Sequence, residues 1–532
     1  MSSPKGIAMT LRSSEQIAHA LRARVRGEVL TDEKVLSRYA TDQSIYEICP
    51  LAVVLPQDLA DVAATVDFAR AEGLPLTPRA GGSNTAGSAL GRGIVLAFSK
   101  AGPLNRLLDF AEVDGTPLVT VEPGLLHDDL QHALREHGLY LPADPSSGNI
   151  SLLGGNIATK SSGPHAFKHG SIDRYLRHVQ FVTAAGEVVD TDDESSIPGR
   201  LRQAVLSLRA DILADPVTVR RLESRKDMKL ASGYNLFTFL RGGQVGEIVA
   251  QLLVGSVGTL GVITRATLRA EPYVPGRAMA LFYFRSLSEA GEATQQLKAL
   301  GVAAAIEIMN HSTLIIVKER NPDIDVPEGE SHMLLVEFEG PDRHEHIAQV
   351  EKLIHEEGYR LAWPPHTVDG EEEQGRLWKV RKAILPTLRA YRPNLKPLSL
   401  VNDVGVDEAY LAPFIRDVEA VFARHHLVAA IYGHAGSGNL HLRPLFPANE
   451  PDLPVLLRRV ADEVCELVFR YDGTITAEHG MGRLRAPYLA REWGETIMGY
   501  MRRVKQAFDP DDLLNPEVMF SARPLTDDMK GQ

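Results

Sequence analysis

Two histidines near the C-terminal third of the chain could share a ligand if the backbone turns between them. Residues 432–444 read YGHAGSGNLHLRP, with His434 and His441 seven positions apart and Gly436 and Gly438 between them. Side chains alternate faces along a straight strand, so an odd separation would send the two rings to opposite sides. Glycine admits backbone angles that other residues avoid. A glycine loop here can therefore turn both imidazoles toward one point.

A carboxylate that could join these histidines lies in residues 472–483, DGTITAEHGMGR. Glu478 and His479 follow a strand-like run and stand just before two glycines. With His434 and His441, Glu478 completes a set of two imidazoles and one carboxylate, which suits a divalent metal and leaves one position open. Zn²⁺ is expected ahead of Mn²⁺ or Fe²⁺. The competing interpretation is a glycine turn with two surface histidines.

Size and composition limit the kinds of protein that can carry these residues. The chain has 532 residues, of which 44% are hydrophobic, enough for two to four domains with sizeable cores. A net charge of −12 argues against nucleic-acid binding, because neutralising phosphates needs a basic surface. Two cysteines cannot form a disulfide framework or a four-cysteine iron–sulfur site.

The location of the protein is constrained by the same features. No apolar run approaches the roughly 20 residues that span a bilayer, so no transmembrane segment is expected. A cytoplasmic setting fits best, with peripheral attachment to the inner membrane, or a mitochondrial location in a eukaryote, left open. The first 27 residues have the composition of a transit peptide. We favour an amphipathic first helix, because Ile17, Leu21 and Val25 fall at helical spacing.

The elements that must position the active residues predict an α+β protein. Residues 51–87 read as a strand, a capped amphipathic helix, a second strand and a glycine-rich turn, which is a β-α-β unit. Short strands follow at 93–98, 118–121 and 178–183. Later strands at 278–284 and 333–339 alternate with helices, as in an antiparallel α+β domain. Residues 439–446 alternate as a half-buried strand, and 492–508 form a helix.

These elements predict four segments. The first is an N-terminal helical segment, residues 1–45. A cofactor-binding domain follows at 46–273, and a substrate and metal domain with an antiparallel sheet at 274–480. A C-terminal helical segment, 481–532, is expected to return to the cofactor-binding domain.

Three glycine-rich stretches offer backbone N–H groups or close approach to a large ligand. They are PRAGGSNTAG at 78–87, DPSSGNISLLGGNIATKSSGP at 144–164 and GSVGTLGVIT at 255–264. None is a Walker loop or a GxGxxG fingerprint. Each alone could be an ordinary glycine-rich loop, but all three occur in one chain in a fixed order.

This order of motifs resembles the FAD-binding module of the vanillyl-alcohol oxidase and p-cresol methylhydroxylase family. The C-terminal motifs HAGSGNLH, AEHGMGRLR and FDPDDLLNP are similar to its D-2-hydroxyacid dehydrogenase branch, which includes D-lactate dehydrogenase, D-2-hydroxyglutarate dehydrogenase and the glycolate oxidase D subunit. The resemblance spans about residues 30–520. It implies the p-cresol methylhydroxylase type of two-subdomain FAD module.

The resemblance also implies which residues contact FAD. Members of the family hold the pyrophosphate on the first glycine loop. A histidine in that loop bonds covalently to the flavin in some relatives; this loop has none, so noncovalent FAD is expected, with His165 and His169 structural. The residues implied are Pro78, Arg79, Ala80, Gly81, Gly82, Ser83, Asn84, Gly87, Asp144, Ser146, Gly154, Gly155, Ala158, Ser161, Gly163, Val262, Ile263 and Asn515.

The chemistry implied is oxidation of a D-2-hydroxyacid to the 2-keto acid. The metal on His434, His441 and Glu478 would make the hydroxyl proton easier to remove, His479 would take it, and hydride would pass to flavin N5. The family's W-x-x-R segment nominates Arg381 for the substrate carboxylate. Further substrate-binding candidates are Lys396, Asn439, Arg443 and Arg485.

The identity of the substrate and of the electron acceptor stays open at this stage. D-2-hydroxyglutarate is expected slightly ahead of D-lactate, and the electrons would pass to a separate quinone, flavoprotein or cytochrome. A homodimer is allowed. Two alternatives remain: a transferase like alkyl-dihydroxyacetone-phosphate synthase, in which FAD takes part without net redox, and a flavin electron-transfer subunit without substrate oxidation of its own.

Overall fold

Three principal sheets and their covering helices make up the described part of the chain. The computed structural model describes residues 13–322, 324–382 and 384–531. Residues 1–12, the start of the stretch weighed as a transit peptide, lie outside it. The predicted first helix is present as α1 (Ser14–Arg22), which begins with a capping box between Ser13 and Gln16 and buries Ile17 and Leu21. No helix in the described ranges is long and apolar enough to cross a bilayer.

The first sheet contains the predicted β-α-β unit. Its strands are β1 (Glu28–Leu30), β2 (Ala52–Leu55), β3 (Leu76–Arg79) and β4 (Ile94–Ala97), and its helices are α2 (Glu33–Tyr39) and α3 (Leu59–Glu72). Strand β4 lies between β2 and β3 and is parallel to both, while β1 is antiparallel to β2. Asp58 caps α3 by accepting the N–H of Asp61, and Gly73 ends it in the left-handed region. The first glycine loop leaves the end of β3.

The second sheet is antiparallel, with order β5-β6-β10-β8-β9. Its strands are β5 (Leu107–Val113), β6 (Thr116–Val121), β8 (Leu176–Val182), β9 (Val188–Asp190) and β10 (Val262–Arg269), and β7 (Leu139–Tyr140) pairs separately with β11 (Glu271–Pro272). The helices of this region are α4 (His127–Glu136), α5 (Leu153–Thr159), α6 (Ala166–His169), α7 (Gly199–Ala214), α8 (Pro216–Glu223), α9 (Thr238–Arg241) and α10 (Val245–Leu253).

The third sheet has eight strands and carries the histidine hairpin. Its order is β15-β12-β14-β13-β18-β19-β16, with β17 also paired to β19, and every pairing is antiparallel. The strands are β12 (Arg277–Phe284), β13 (Ala305–Met309), β14 (His332–Glu339), β15 (His366–Val368), β16 (Leu395–Pro397), β17 (Val404–Gly405), β18 (Ala429–His434) and β19 (Asn439–Pro447). The helices of this region are α11 (Leu287–Leu300), α12 (His311–Arg320), α13 (Arg343–Glu356), α14 (Glu371–Lys382), α15 (Ile384–Tyr391), α16 (Leu411–Arg424) and α17 (Leu453–Arg470).

One face of this third sheet is apolar and the other carries buried charge. Phe282, Phe338 and Leu442 belong to the apolar core on the first face. On the second face, Glu307 of β13 lies directly opposite His434 of β18, so their side chains project to the same side. Buried carboxylates need partners in a low-dielectric setting. This face therefore combines ion pairs and hydrogen bonds with an apolar cluster of its own.

The C-terminal region returns to the first sheet. Helix α18 (Leu489–Phe508) includes the predicted helix 492–508 and is broken at Gly494, whose φ is 73°. Beyond it, the N–H of Leu76 on β3 donates to the carbonyl of Leu513. The Asn515 side chain donates to the carbonyls of Ser88 and Val257, at 2.8 and 2.7 Å. Asn515 therefore connects the end of the first glycine-rich stretch to the third glycine-rich stretch, at 255–264.

A buried imidazole bridges the second glycine-rich stretch and the third sheet. His165 Nδ1 lies 2.5 Å from Asp144 Oδ2, and its Nε2 lies 2.7 Å from Glu337 Oε1. Arg277 also pairs with Glu337, at 3.0 Å. Burial alone would lower the pKa of His165, but the charges of Asp144 and Glu337 outweigh it and raise that pKa to about 10. His165 is therefore an imidazolium at neutral pH.

We predict that His165→Gln destabilises the protein in a pH-dependent way. The pKa of His165 is higher in the folded than in the unfolded state, so its contribution is complete below about pH 6.5 and is lost as pH rises through about 10. Removing one member of a buried ion pair costs about 3 kcal/mol or more. Urea denaturation should show a larger loss at pH 6 than at pH 9.5. A pH-independent loss, or one equal to that of the partly buried control His425→Gln, would contradict this.

Candidate functional site

One cavity brings the glycine loops and the histidine hairpin together. It has a volume of about 720 Å³. The first glycine loop, the start of α5, the N-terminal part of α15 and the strand β19 all contribute to its walls. A volume of this order matches a large ligand that lies mostly inside the protein.

Most of the first glycine loop lines this cavity. The predicted residues Pro78, Arg79, Ala80, Gly81, Gly82, Ser83 and Asn84 do so, and Gly87 does not. The Arg79 guanidinium donates to the carbonyls of Tyr39, Thr41 and Ala89, so it braces the loop instead of offering its charge. Within the described chain, no hydrogen bond engages the backbone N–H groups of residues 81–84. These consecutive N–H groups fit an anionic group such as a pyrophosphate.

The second and third stretches are divided between cavity wall and support. Ser146, Gly154, Gly155, Ala158, Ser161 and Ile263 line the cavity, whereas Asp144, Gly163, Val262 and Asn515 do not. Asp144 is bonded to His165, and Asn515 is engaged by Ser88 and Val257. A Cβ at Gly163 would lie 2.2 Å from the carbonyl oxygen of Asp144, so this glycine allows two backbones to pack. These residues hold the loops and do not face the ligand space.

The two histidines face the same side because the chain turns into a hairpin. Strands β18 and β19 pair with Tyr432 opposite His441 and His434 opposite Asn439. Tyr432 and His434 share one face, so His441 shares it too. Gly438 makes the turn with a φ of 65°, and a Cβ there would meet the carbonyl oxygen of Val406. The ring centroids of His434 and His441 lie 5.2 Å apart.

Glu478 lies between these rings. Its Oε1 is 3.1 Å from His434 Nε2 and 3.4 Å from His441 Nε2. Its Oε2 accepts from Lys229 Nζ at 2.6 Å and from Ser162 Oγ at 3.2 Å. Burial would raise the pKa of Glu478, but the charges of Lys229 and His434 hold that pKa well below its usual range. The carboxylate is ionised and its two oxygens have separate surroundings.

The donor set fits a cation. His441 Nδ1 lies 2.9 Å from the carbonyl of Asn402 and must donate to it, so its Nε2 carries the proton only if the ring is charged. Burial, only partly opposed by Glu478, holds the pKa of His441 well below the ordinary value. An Nε2 lone pair therefore faces an anionic oxygen, and two acceptors at 3.4 Å repel each other unless a cation lies between them.

The ring of His434 is held in place by the carboxylate of Glu307, which bonds the ring nitrogen that faces away from Glu478. This nitrogen, Nδ1, hydrogen-bonds Glu307 Oε1. A ligating histidine commonly donates its second ring N–H to a carboxylate or carbonyl in this way, which fixes the ring and raises the basicity of the ligand nitrogen. Burial would lower the pKa of His434, but Glu307 and Glu478 outweigh it and raise that pKa. Without a cation, a proton would occupy the same place.

Asp403 is a second carboxylate at the site that sequence analysis missed. Together with His441, Glu478 and His479 it forms a group whose candidate ligand atoms lie within 4.8 Å of one another. Its oxygens are already engaged, by the Asn439 amide, the Thr476 hydroxyl at 2.6 Å and the N–H groups of Glu478 and His479 at 3.1 and 2.8 Å. This occupancy favours His434, His441 and Glu478 as ligands, with Asp403 as a support.

His479 projects into the cavity beside this group. Its side chain is 28% exposed, and its ring stacks on that of His441 with centroids 5.3 Å apart. Gly480 follows with a φ of 77°, which supplies the turn that separates His479 from Glu478. Burial lowers the pKa of His479, against the charges of Asp403 and Glu478. The ring is neutral at pH 7 and can accept a proton.

The predicted substrate-binding residues fall in different places. Arg381 and Arg443 line the cavity. Arg381 Nε donates to Glu307 at 2.6 Å, and its Nη2 is buried without a partner among the described residues. Lys396 is exposed on β16, opposite Phe446 and so on the face of the sheet away from Arg443. Neither Asn439 nor Arg485 lines the cavity. The Asn439 amide is used by Asp403 and Val404, and Arg485 is buried against Ile475 and Asn402.

Two families of known sequences match most of the segments that form this cavity. Residues 50–192 match the FAD binding domain, and residues 275–519 match the C-terminal domain of FAD linked oxidases. The chain belongs to the FAD-linked oxidases. In this FAD-linked oxidase, the first match covers the first and second glycine loops, and the second covers the histidine hairpin and Glu478.

Similar proteins extend over most of the chain. The chain is 28% identical to glycolate oxidase subunit GlcD of Bacillus subtilis, over 92% of each sequence. It is 30% identical to D-2-hydroxyglutarate dehydrogenase of Escherichia coli, over 90% of this chain and 49% of that one. It is 27% identical to a probable mitochondrial D-lactate dehydrogenase of Danio rerio, over 94% and 91%. The chain therefore spans about half the length of the Escherichia coli relative.

Solved structures share the fold. A 4-ethylphenol oxidase from Gulosibacter chungangensis has a TM-score of 0.68 and 18% identity, with 98% of this chain and 99% of that chain covered. An alkyldihydroxyacetonephosphate synthase has a TM-score of 0.65 and 17% identity, with 95% and 85% covered. At these identities the likeness shows the fold of the FAD-linked oxidase and nothing of its substrate.

We predict that Asp403→Asn weakens both the fold and the candidate metal site. An amide keeps only one acceptor position. If its oxygen replaces Oδ2, its NH2 group faces the donating amide of Asn439; if its oxygen replaces Oδ1, its NH2 group faces the N–H groups of Glu478 and His479. Leaving buried donors unsatisfied costs about 1–3 kcal/mol each. Urea denaturation and metal analysis should both show a loss. The control is Asp407→Asn, which caps an exposed turn. Wild-type stability and metal content in Asp403→Asn would refute a positioning role.

Proposed function

We propose that this protein is an FAD- and metal-dependent dehydrogenase of D-2-hydroxyacids, with D-2-hydroxyglutarate ahead of D-lactate. The observation that carries the proposal is the neutral His479, which faces the cavity beside the anionic Glu478 and the Nε2 lone pair of His441. The names of the similar proteins support the same class of reaction. An electron-transfer subunit would need none of these residues.

FAD would be held by the glycine loops. The free N–H groups of residues 81–84 suit its pyrophosphate, and the small residues Gly154, Gly155 and Ala158 allow a flat ring system to lie close to the backbone. When bound, FAD supplies the acceptor for the hydride of the substrate, which carries both electrons of the oxidation. The first loop contains no histidine, so the flavin is proposed to be noncovalent.

The metal would be held by His434, His441 and Glu478, with Zn²⁺ ahead of Mn²⁺ or Fe²⁺. When bound, the ion supplies Lewis acidity to the substrate hydroxyl. Lys229 keeps Glu478 ionised and fixes its second oxygen. Glu307 and the carbonyl of Asn402 set the orientation of the two rings. With the three ligands held in this way, the side of the proposed metal position that remains open is the side toward the cavity.

His479 is proposed to take the hydroxyl proton. A general base must be unprotonated before reaction and must reach the proton, and a low pKa together with exposure to the cavity meets both needs. Asp403 accepts the backbone N–H of His479, and the Asn84 side chain donates to the carbonyl of His479 at 3.0 Å. Arg381 would bind the substrate carboxylate through its unpartnered Nη2, while Glu307 fixes its Nε.

The electrons are proposed to leave to a separate acceptor, a quinone, a flavoprotein or a cytochrome. The chain has two cysteines, too few for a four-cysteine iron–sulfur cluster of its own. The cytoplasmic or mitochondrial setting, the peripheral attachment to the inner membrane and the homodimer expected above stay predictions.

We predict that purified protein is yellow and that D-2-hydroxyacids, but not their L-enantiomers, bleach it under anaerobic conditions. Loss of flavin absorbance near ~450 nm measures the reaction directly. Acid denaturation should release the flavin, because no covalent bond is expected. If no hydroxyacid is oxidised and the protein instead catalyses a flavin-dependent group transfer, the synthase-like alternative is favoured. Flavin that stays attached to the denatured chain would refute the noncovalent assignment.

We predict different defects for the two adjacent residues Glu478 and His479. Glu478→Ala should release metal and abolish activity, with partial rescue by excess metal, because one of three protein ligands is gone. His479→Asn should keep metal and FAD and slow flavin reduction by about 10²- to 10⁴-fold, the usual contribution of a general base. Metal analysis and anaerobic single-turnover reduction check both.

The matched controls are Glu466→Ala and His425→Asn, which alter surface ion pairs. Metal loss in His479→Asn with metal kept in Glu478→Ala would reverse the two roles. Normal reduction in His479→Asn would remove that residue from the mechanism.

A further inference from the structure

Two guanidinium groups in the cavity wall lack a carboxylate partner within the described part of the chain. Arg443 lies on β19, is 3% exposed and donates from Nη1 to Ser399 Oγ at 2.6 Å. Its Nε is buried without a partner among the described residues. Arg389 lies on α15 and donates from Nη2 to Gln43 Oε1 at 2.8 Å. Both arginines and Gln43 line the cavity.

The contrast with Arg381 is informative. Arg381 is balanced by Glu307, whereas no described carboxylate lies within 4.0 Å of the guanidinium of Arg389 or Arg443. Arg443 is a buried cation whose only partner is a neutral hydroxyl, so it keeps most of its desolvation cost, whereas Arg389 is exposed and lines the cavity from α15. Burial and the charge of Arg443 also lower the pKa of Arg389, so the two cations repel each other. An anion between them would relieve both effects.

The position of these groups relative to the reaction centre sets the size of the ligand. Arg443 follows His441 by two residues on the same face of β19, about 7 Å along the strand. The ring of Tyr432 lies between Arg381 and His441, 4.8 Å from the guanidinium carbon and 5.2 Å from the imidazole centroid. A chain of four C–C bonds of about 1.5 Å spans about 5 Å. A five-carbon dicarboxylate is thus comparable in length to the step of about 7 Å from His441 to Arg443 along β19.

We propose that Arg389 and Arg443 form a second anion subsite of the cavity, and that the substrate is a D-2-hydroxyacid with a second carboxylate. The inference rests on the proposed function and specifies its substrate class. Arg381 takes the carboxylate beside the hydroxyl, and the pair takes the distal one. Of the other basic candidates that the sequence suggested for substrate binding, Lys396 lies on the opposite face of the sheet and Arg485 does not line the cavity.

The first test compares two substrates of equal chain length, D-2-hydroxyglutarate and D-2-hydroxyvalerate, which lacks the distal carboxylate. Arg389→Gln and Arg443→Gln should each lower the ratio of the two kcat/KM values by about 10- to 100-fold, the effect of losing a charge-assisted hydrogen bond. Arg392→Gln is the control, because Arg392 is exposed, pairs with Glu319 and does not line the cavity. Its ratio should be unchanged.

Two results would overturn the subsite. Equal losses for both substrates would mean that the arginines only support the fold. Loss of FAD from the variants, measured as flavin absorbance per protein, would mean that the pair binds a phosphate of the cofactor. A structural role alone does not change the ratio, because it does not distinguish a carboxylate from a methyl group.

The second test separates this inference from the proposed function. Glutarate has both carboxylates and no hydroxyl to oxidise, so its binding to the FAD-loaded protein can be measured by calorimetry. Binding that weakens about 10-fold or more in Arg443→Gln, and not in Arg392→Gln, would support the subsite even if no hydroxyacid reduced the flavin. Failure of glutarate to bind would overturn the subsite even if hydroxyacids were oxidised.

Discussion

The buried carboxylate of Asp403 is the constraint on which the site depends. It accepts the N–H groups of Glu478 and His479, the hydroxyl of Thr476 and the amide of Asn439. Asn439 begins β19, and Thr476 precedes the turn at Gly480, so one carboxylate ties the hairpin to the segment that carries the base. A buried charge with this many donors loses little by desolvation and fixes every group that it bonds.

A second set of buried carboxylates connects the two sides of the cavity. Glu337 of β14 accepts from His165 behind the second glycine loop and from Trp378 Nε1 of α14, at 2.7 and 2.8 Å. One helical turn beyond Trp378, Arg381 donates to Glu307, which in turn holds His434. The second glycine-rich stretch and the histidine hairpin are therefore both held by carboxylates on the same face of the third sheet. A shift of either wall would break hydrogen bonds between buried charged groups, which cost more to leave unmade than neutral ones.

The sequence predicted the fold, and it singled out the residues that the structure brings together in the candidate site, because both depend on local patterns. The β-α-β unit, the strand 439–446 and the helix 492–508 follow from periodicity and capping, and the p-cresol methylhydroxylase type of fold follows from the order of the glycine motifs. The hairpin that joins His434 and His441 needed only two glycines and an odd spacing.

The supports could not be predicted in the same way, because they depend on contacts between distant residues. Asp403, Lys229 and Glu307 have no local signal that distinguishes them from surface charges. The sequence also contains no sign that some residues expected to contact the ligand instead bond to other parts of the protein. Arg79, Asp144, Asn439 and Asn515 each complete a hydrogen-bond network. Lys396 lies on the face away from the cavity, because the register of its strand decides which side a residue faces and a shift of one residue reverses it.

The two oxygens of Glu478 explain how one buried residue can serve both structure and chemistry. Oε2 is neutralised by Lys229, which holds the pKa of the carboxyl well below its usual range and fixes its plane. Oε1 then points to two imidazoles whose other nitrogens are already committed, to Glu307 and to the carbonyl of Asn402. None of these three groups can turn away without breaking its second bond. The charge and the lone pairs therefore converge on one point whether or not it is filled, so the protein supplies the preorganisation and a cation has only to replace a proton.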